Sequence, residues 1–152
     1  MKLTTFTDYS LRMLIYLAAQ DRRVTIAEVA RAYDISEHHL VKIAHFLGKA
    51  GWLCNLRGKG GGLELARRPD AINIGRLVRE CEGDAQLAAC FREDAPPCAI
   101  AGCCRMQPVL AQALESFYAV LDRHTLADLV PPASELAPLL FLHREAHAGR
   151  PA

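Results

Sequence analysis

The chain has 152 residues, 51% of them hydrophobic and 23% charged, enough for one domain with its own core and no need of disulfide staples. Its formal net charge is +1, so no global excess of basic residues points to nucleic acid, and any basic patch has to be local. The opening MKLTTFTDYS lacks the succession of a secretory signal, and no apolar run approaches the roughly 18 residues of a membrane span, which points to the cytoplasm, where thiols stay reduced, and to no membrane partner.

In chain order, TDYSLRMLIYLAAQ (7–20) repeats Leu11, Leu14, Ile15 and Ala18 at spacings of three and four and predicts an amphipathic helix. Thr25-Ile26-Ala27-Glu28 is a capping box that opens a short helix running to about Ala32. After a turn at Tyr33 to Ile35, Ser36 is the expected N-cap of EHHLVKIAHFLGKA, which Gly51 closes as a left-handed residue. Two helices joined by about three residues form a helix-turn-helix.

Two strand-like pieces, WLCNL and LELA, then flank Arg57-Gly58-Lys59-Gly60-Gly61-Gly62. A phosphate loop needs a strand before it and a helix after it, whereas this tip joins two strands, so a hairpin wing is the better account. A helix-turn-helix followed by such a hairpin is a winged helix, whose second helix enters the major groove of double-stranded DNA. The residues placed to do this are His38, His39 and Lys42 on the recognition helix and Arg57 and Lys59 on the wing, with Arg12, Arg22 and Arg23 available to phosphates. His45 and Phe46 read as packing residues, and Tyr9 and Trp52 as core or interface aromatics.

PDAINIGRLVRECE (69–82) reads as a turn, a short extended piece and a helix capped by Asn73. It leads into CFREDAPPCAIAGCCR (90–105), which holds four of the six cysteines in a stretch without helical period. Disulfides, a zinc knot, a redox pair and an iron-sulfur site are all readings of such a segment. The reducing compartment and the sufficient core favour a metal or a sensor. Cys54 and Cys81 lie in a strand and a helix and read as small buried residues. Pro108 suits the first turn of a further helix, on which Val109, Leu110, Ala113, Leu114, Phe117, Val120 and Leu121 form one apolar stripe. The stripe exceeds what a small winged domain needs, and a homodimer matched to a palindromic operator is the usual way to bury it.

The stretches LTTFTDYSLRMLIYLA, ISEHHLVKIAHFLGKAG, RGKGGGLEL, INIGRLVRE, the cysteine segment ending in CCR, and TLADLV together resemble the bacterial winged-helix repressors that carry iron-sulfur clusters, and within them the nitric-oxide-sensing branch. The resemblance spans roughly residues 1 to 130. It implies a cluster, [4Fe-4S] with [2Fe-2S] as the alternative, held by Cys90, Cys98 and Cys104, with seven residues between the first two and five between the second and third. It also implies Asp8, in FTDY, as a fourth ligand supplied by the other subunit. Cys103 is then a bystander that could substitute. The branch that regulates cluster assembly places a His three residues after its last cysteine ligand; here that position is Gln107, so its chemistry is not implied.

These readings give a mainly α fold. A winged helix-turn-helix DNA-binding domain occupies 1–82, a cysteine-rich cluster loop 83–107, a dimerisation helix and following turn 108–130, and a C-terminal tail, partly docked or frayed, 131–152. The expected function is a homodimeric, cluster-dependent transcriptional repressor that senses nitric oxide by cluster nitrosylation and then loses operator DNA. A zinc- or iron-sulfur-containing regulator responding to iron or redox state is the alternative. A thiol redox enzyme is disfavoured, because the chain has no C-x-x-C and no Rossmann or flavin motif to supply electrons.

Overall fold

In a computed structural model, which describes residues 3–20, 22–58, 60–83, 87–91, 96, 98–132 and 135, the first apolar period is helix α1 (Thr5–Gln20), with Met13, Leu14 and Leu17 buried. It starts two residues before the sequence period does. The cause is a distant partner: the Glu82 carboxylate accepts the Thr4 backbone N–H at 2.9 Å, the Thr4 hydroxyl at 3.0 Å and the Thr7 hydroxyl. Donors at a helix N-terminus that lack an intrahelical acceptor are thereby satisfied by a charge of the favourable sign.

Helix α2 (Ile26–Tyr33) opens on the expected capping box. The Thr25 hydroxyl accepts from Glu28 N–H at 3.2 Å, and the Glu28 carboxylate accepts from Thr25 N–H at 2.7 Å. That backbone bond holds the Glu28 carboxyl below the usual range against the opposing effect of burial, with Arg22 adding to it. Asp34 closes the helix in the left-handed region (φ 52°), and three residues later α3 (Glu37–Lys49) begins. Ser36 stands at its N-cap but makes no side-chain bond; its carbonyl accepts from His39 and Leu40 instead. Leu40, Ile43, Ala44 and Leu47 of α3 are buried against α1 and α2, and Gly51 follows with φ 76°.

Strands β1 (Leu53–Leu56) and β2 (Gly62–Leu65) pair antiparallel, with Leu53 opposite Leu65 and Leu56 opposite Gly62. A third, short pairing between Val24 and Leu63 ties the hairpin back to the segment before α2. Alternation along β1 places Leu53 inside and Cys54, opposite Glu64, outside. Cys54 is therefore exposed, which corrects its reading as a buried residue. Trp52, just before β1, is buried; its indole N–H donates to Glu80 at 2.6 Å, and the guanidinium groups of Arg67 and Arg76 each lie 5.3 Å from its ring centre.

A short 3₁₀ turn at Pro69–Ala71 leads to α4 (Ile74–Glu82), capped as expected by Asn73, whose side chain accepts from Arg76 N–H at 2.9 Å. After the cysteine segment comes α5 (Met106–Leu121), then α6 (Leu126–Leu129), where Thr125 and Asp128 bond reciprocally. Leu126 is fully buried and its N–H donates to Ile72 O at 2.8 Å, which seats α6 on the winged head.

The join between α4 and α5 is polar and close. Arg79 donates two hydrogen bonds to the Asp122 carboxylate, at 2.6 and 2.7 Å, and its guanidinium lies 4.3 Å from the Tyr118 ring centre. The Asn73 amide donates to Asp122 O at 2.7 Å. The hydrogen bond from Arg79 lowers the Asp122 carboxyl from its ordinary value. All of this presses on Gly75, where an added Cβ would meet the Asp122 carboxylate and come within 2.9 Å of the Asp122 backbone nitrogen. The side chain could swing aside only by giving up Arg79, and the backbone cannot. Gly75→Ala should therefore cost about 1–3 kcal/mol, the usual penalty of overpacking, and lower the thermal midpoint by several degrees. An unchanged melting curve would show that the join is looser than described.

Candidate nucleic-acid interface and cysteine segment

The outer face of α3 follows from its inner one. Because Leu40, Ile43, Ala44 and Leu47 turn inward, His38, Val41, Lys42 and His45 are left exposed together. His38, His39 and Lys42 thus stand where the sequence reading places them, in the first half of the helix. His45 does not pack, which corrects its reading: the helical period puts it on the solvent face. Phe46 does pack, edge-on to Phe6 with ring centres 5.1 Å apart. Tyr9 is half-buried against the core, with its ring centre 6.4 Å from that of His39.

Arg57 is exposed at the root of the wing tip. After it the backbone at Gly58 (φ 90°) and Gly60 (φ 81°) occupies the left-handed region that glycine tolerates best. Lys59 lies outside the described residues. Between α3 and the wing runs an open cleft of about 440 Å³, lined by Val41, His45, Leu56 and Arg57 among others. Asn55 fixes the spacing of helix and wing, its amide donating to Ala44 O at 2.9 Å. The accessory arginines are already engaged: Arg12 with Asp8 at 3.0 Å, Arg22 with Glu28 at 3.0 Å and Arg23 with Glu64 at 3.2 Å. All three pairs are partly exposed, where such pairs are weak and open to exchange for a phosphate.

All six cysteines are free thiols. Cys90 lies in a 3₁₀ turn at Ala89–Phe91, Cys103 in another at Ala101–Cys103, and Cys104 is extended, two residues before α5. Cys90 and Cys104 are half-buried, whereas Cys98 and Cys103 are exposed. Residues 84–86, 92–95 and 97 of the segment lie outside the described residues, as do 133–134 and 136–152 of the tail. Among the described residues no three Cys, His, Asp or Glu side chains are gathered as a metal site. The three matched thiols are thus available and unpaired but not assembled around a common point. Cys81 differs in kind: half-buried in α4, its thiol is pushed up to about 11 by burial.

Asp8 sits in the first turn of α1 with its carboxylate 3.0 Å from Arg12 Nε. It is one residue from Thr7, which Glu82 holds, and Glu82 is the last residue of α4 before the cysteine segment. Asp8 thus follows, along α1, the residue that ties this helix to the root of the segment. Sequence reasoning missed Glu82, which carries no local signal, and passed over Val41, whose position off the apolar stripe of α3 is a signal.

A family model described as an iron-dependent transcriptional regulator, Rrf2, matches residues 3–132. The chain belongs to the Rrf2 family. Family membership makes it a DNA-binding transcriptional regulator of winged-helix type, and not an enzyme. It is 44% identical to the HTH-type transcriptional regulator NsrR of Geobacillus kaustophilus over 92% of this chain and 97% of the relative, and 43% identical to NsrR of Bacillus subtilis over 92% and 97%. Among solved structures, the family fold recurs in CymR (YrzC), the global cysteine regulator of B. subtilis, with TM-score 0.63, 29% identity and coverage of 85% of this chain and 95% of that one. It recurs too in T. potens IscR, with TM-score 0.65, 25% identity and coverage of 100% and 93%. No helix among the described residues is long and apolar enough to cross a membrane.

Proposed function

We propose that this Rrf2 regulator is a homodimeric, iron-sulfur-dependent repressor of the cytoplasm that senses nitric oxide and then releases its operator. The observation that carries the proposal is an adjacency: the segment with the free thiols is rooted, through Glu82, on the N-terminus of α1, the helix that packs against the recognition helix α3. Its similarity to the NsrR relatives supports the signal.

The donor set suits the cofactor. Cysteine thiolates are the usual ligands of iron-sulfur clusters, and this segment offers four unpaired thiols. Cys90, Cys98 and Cys104 would hold the cluster, [4Fe-4S] rather than [2Fe-2S], with the partner subunit's Asp8 as the fourth ligand. When bound, the cluster supplies iron that a small diatomic such as nitric oxide can attack. The chain's own residues do the rest. Holding the three thiols at one centre would fix the connection between α4 and α5, two helices that the Arg79–Asp122 pair already joins. Helix α5 has no buried residue, and Met106, Val109 and Val120 are more than two-fifths exposed, an apolar face that a second copy would cover. Fixing the joint in both copies fixes the separation of two recognition helices, which palindromic half-sites require.

His38, His39, Lys42, Arg57 and Lys59 are the proposed DNA contacts. The test is an anaerobic preparation with a visible spectrum, iron and sulfide analysis, and operator binding before and after nitric oxide. A coloured protein with comparable iron and sulfide that releases DNA on exposure is expected. A colourless protein holding stoichiometric zinc and binding DNA regardless of nitric oxide would replace this reading with a zinc regulator, for which three thiolates and a carboxylate are also an acceptable set.

A further inference from the structure

Helix α3 carries one side chain that its position does not explain. Val41 is 51% exposed, on the face it shares with His38, Lys42 and His45. Valine is a poorer helix former than the lysine or glutamine that usually fills such a site, because its branched Cβ is restricted in a helix. It also shields nothing there: the core face of α3 is complete without it. An isolated exposed apolar residue is ordinary on a protein surface, but this one is not placed at random. Outside the cysteine segment and α5, the exposed large apolar side chains among the described residues are Val41 and Leu56, and both line the cleft between α3 and the wing.

The face is polar and partly basic around them, as suits a surface laid against DNA. The major groove offers one apolar group to such a surface, the C5-methyl of thymine. Val41 is the fifth residue of α3, in the N-terminal half that reaches base edges when a recognition helix enters the groove. We infer that Val41 is a specificity-determining residue that reads a thymine methyl in each half-site. The inference rests on the proposal that α3 is the groove-reading helix, and deepens it by naming a base.

The probe is the duplex that the anaerobically purified full-length protein enriches from a randomised pool, together with copies in which each thymidine in turn is replaced by deoxyuridine. That exchange removes the methyl and keeps the pairing. At one thymidine per half-site the wild-type protein should bind the deoxyuridine duplex about fourfold more weakly, the worth of one methyl group taken out of water. Val41→Ala should bind the two duplexes alike at that position. Lys42→Ala should weaken binding to both equally, by roughly 5- to 150-fold if Lys42 makes a close base contact, and Arg57→Ala should also weaken both equally. A penalty at no thymidine, or one of the same size in Val41→Ala, overturns the inference while a loss in Lys42→Ala leaves the reading of α3 standing. If Lys42→Ala and Arg57→Ala bind every duplex as wild type does, that reading falls and this inference with it.

Discussion

Cys104→Ala, purified without oxygen, should be colourless and hold little iron or sulfide, whereas Cys103→Ala should keep the wild-type spectrum. The two residues are neighbours, and their surroundings separate them. Cys103 ends a 3₁₀ turn, is exposed, and its thiol lies 3.6 Å from Ile100 O as a weak donor. Cys104 is half-buried in an extended residue (φ −68°, ψ 119°) at the mouth of α5. The exposed turn and the half-buried extended residue thus set the two thiols in different surroundings, and the half-buried one is the proposed ligand. Cys104 stands two residues ahead of α5, so a ligand there acts close to the start of that helix. Both variants should fold, since neither thiol belongs to the core. Colour lost from Cys103→Ala and kept in Cys104→Ala would move the ligand by one residue. Colour kept in both would remove this pair from the site.

What the sequence revealed of this fold and what it concealed divide along a physical line. The capping box at Thr25 and Glu28, the cap at Asn73 and the glycine-bearing wing are set by neighbours within a few residues, and each appears where its local chemistry requires. Departures have two sources: a partner far along the chain, and the phase of an element that sets which face a side chain takes. Helix α1 begins early because Glu82, more than seventy residues away in sequence, accepts its first donors. Ser36 takes the N-cap place that the sequence gives it, with its carbonyl rather than its side chain meeting the start of α3. His45 reads as a packing residue from its apolar neighbours and Cys54 as a small buried residue of a strand, but the phase of the helix and the alternation of the strand turn both out. For the site, residue types and order along the chain were legible, and the face of α3 was readable in part. The tie between the start of α1 and the root of the cysteine segment was not, since it rests on three hydrogen bonds from Thr4 and Thr7 to Glu82 that no motif announces.

Asp8→Ala should alter the cluster spectrum, the rate of the nitric oxide reaction and operator affinity together, with little loss of stability. The small stability term can be bounded first. Asp8 faces the positive end of α1, worth about 0.3–1 kcal/mol. Its pair with Arg12 is spaced i to i+4 and nearly half exposed, so solvent screens it to about 0.5 kcal/mol or less. For a domain of this size the two together move the thermal midpoint by only a few degrees. Arg12→Ala supplies the control: it removes the same ion pair and leaves the carboxylate in place. If the carboxylate serves only its helix and its arginine, Arg12→Ala and Asp8→Ala should differ by no more than the helix-terminus term, and both should keep the wild-type spectrum. If the carboxylate is a ligand, the variants part. Asp8→Ala then changes colour and signal response, while Arg12→Ala retains the colour, with a carboxylate freed of its competing cation. Asp8→Cys adds a further step, because a thiolate is a stronger partner for iron and should slow attack by nitric oxide at that position. Asp8→Ala protein with an unchanged spectrum and unchanged nitric oxide sensitivity would strike the carboxylate from the ligand set, and the fourth position would have to be filled from elsewhere in the chain.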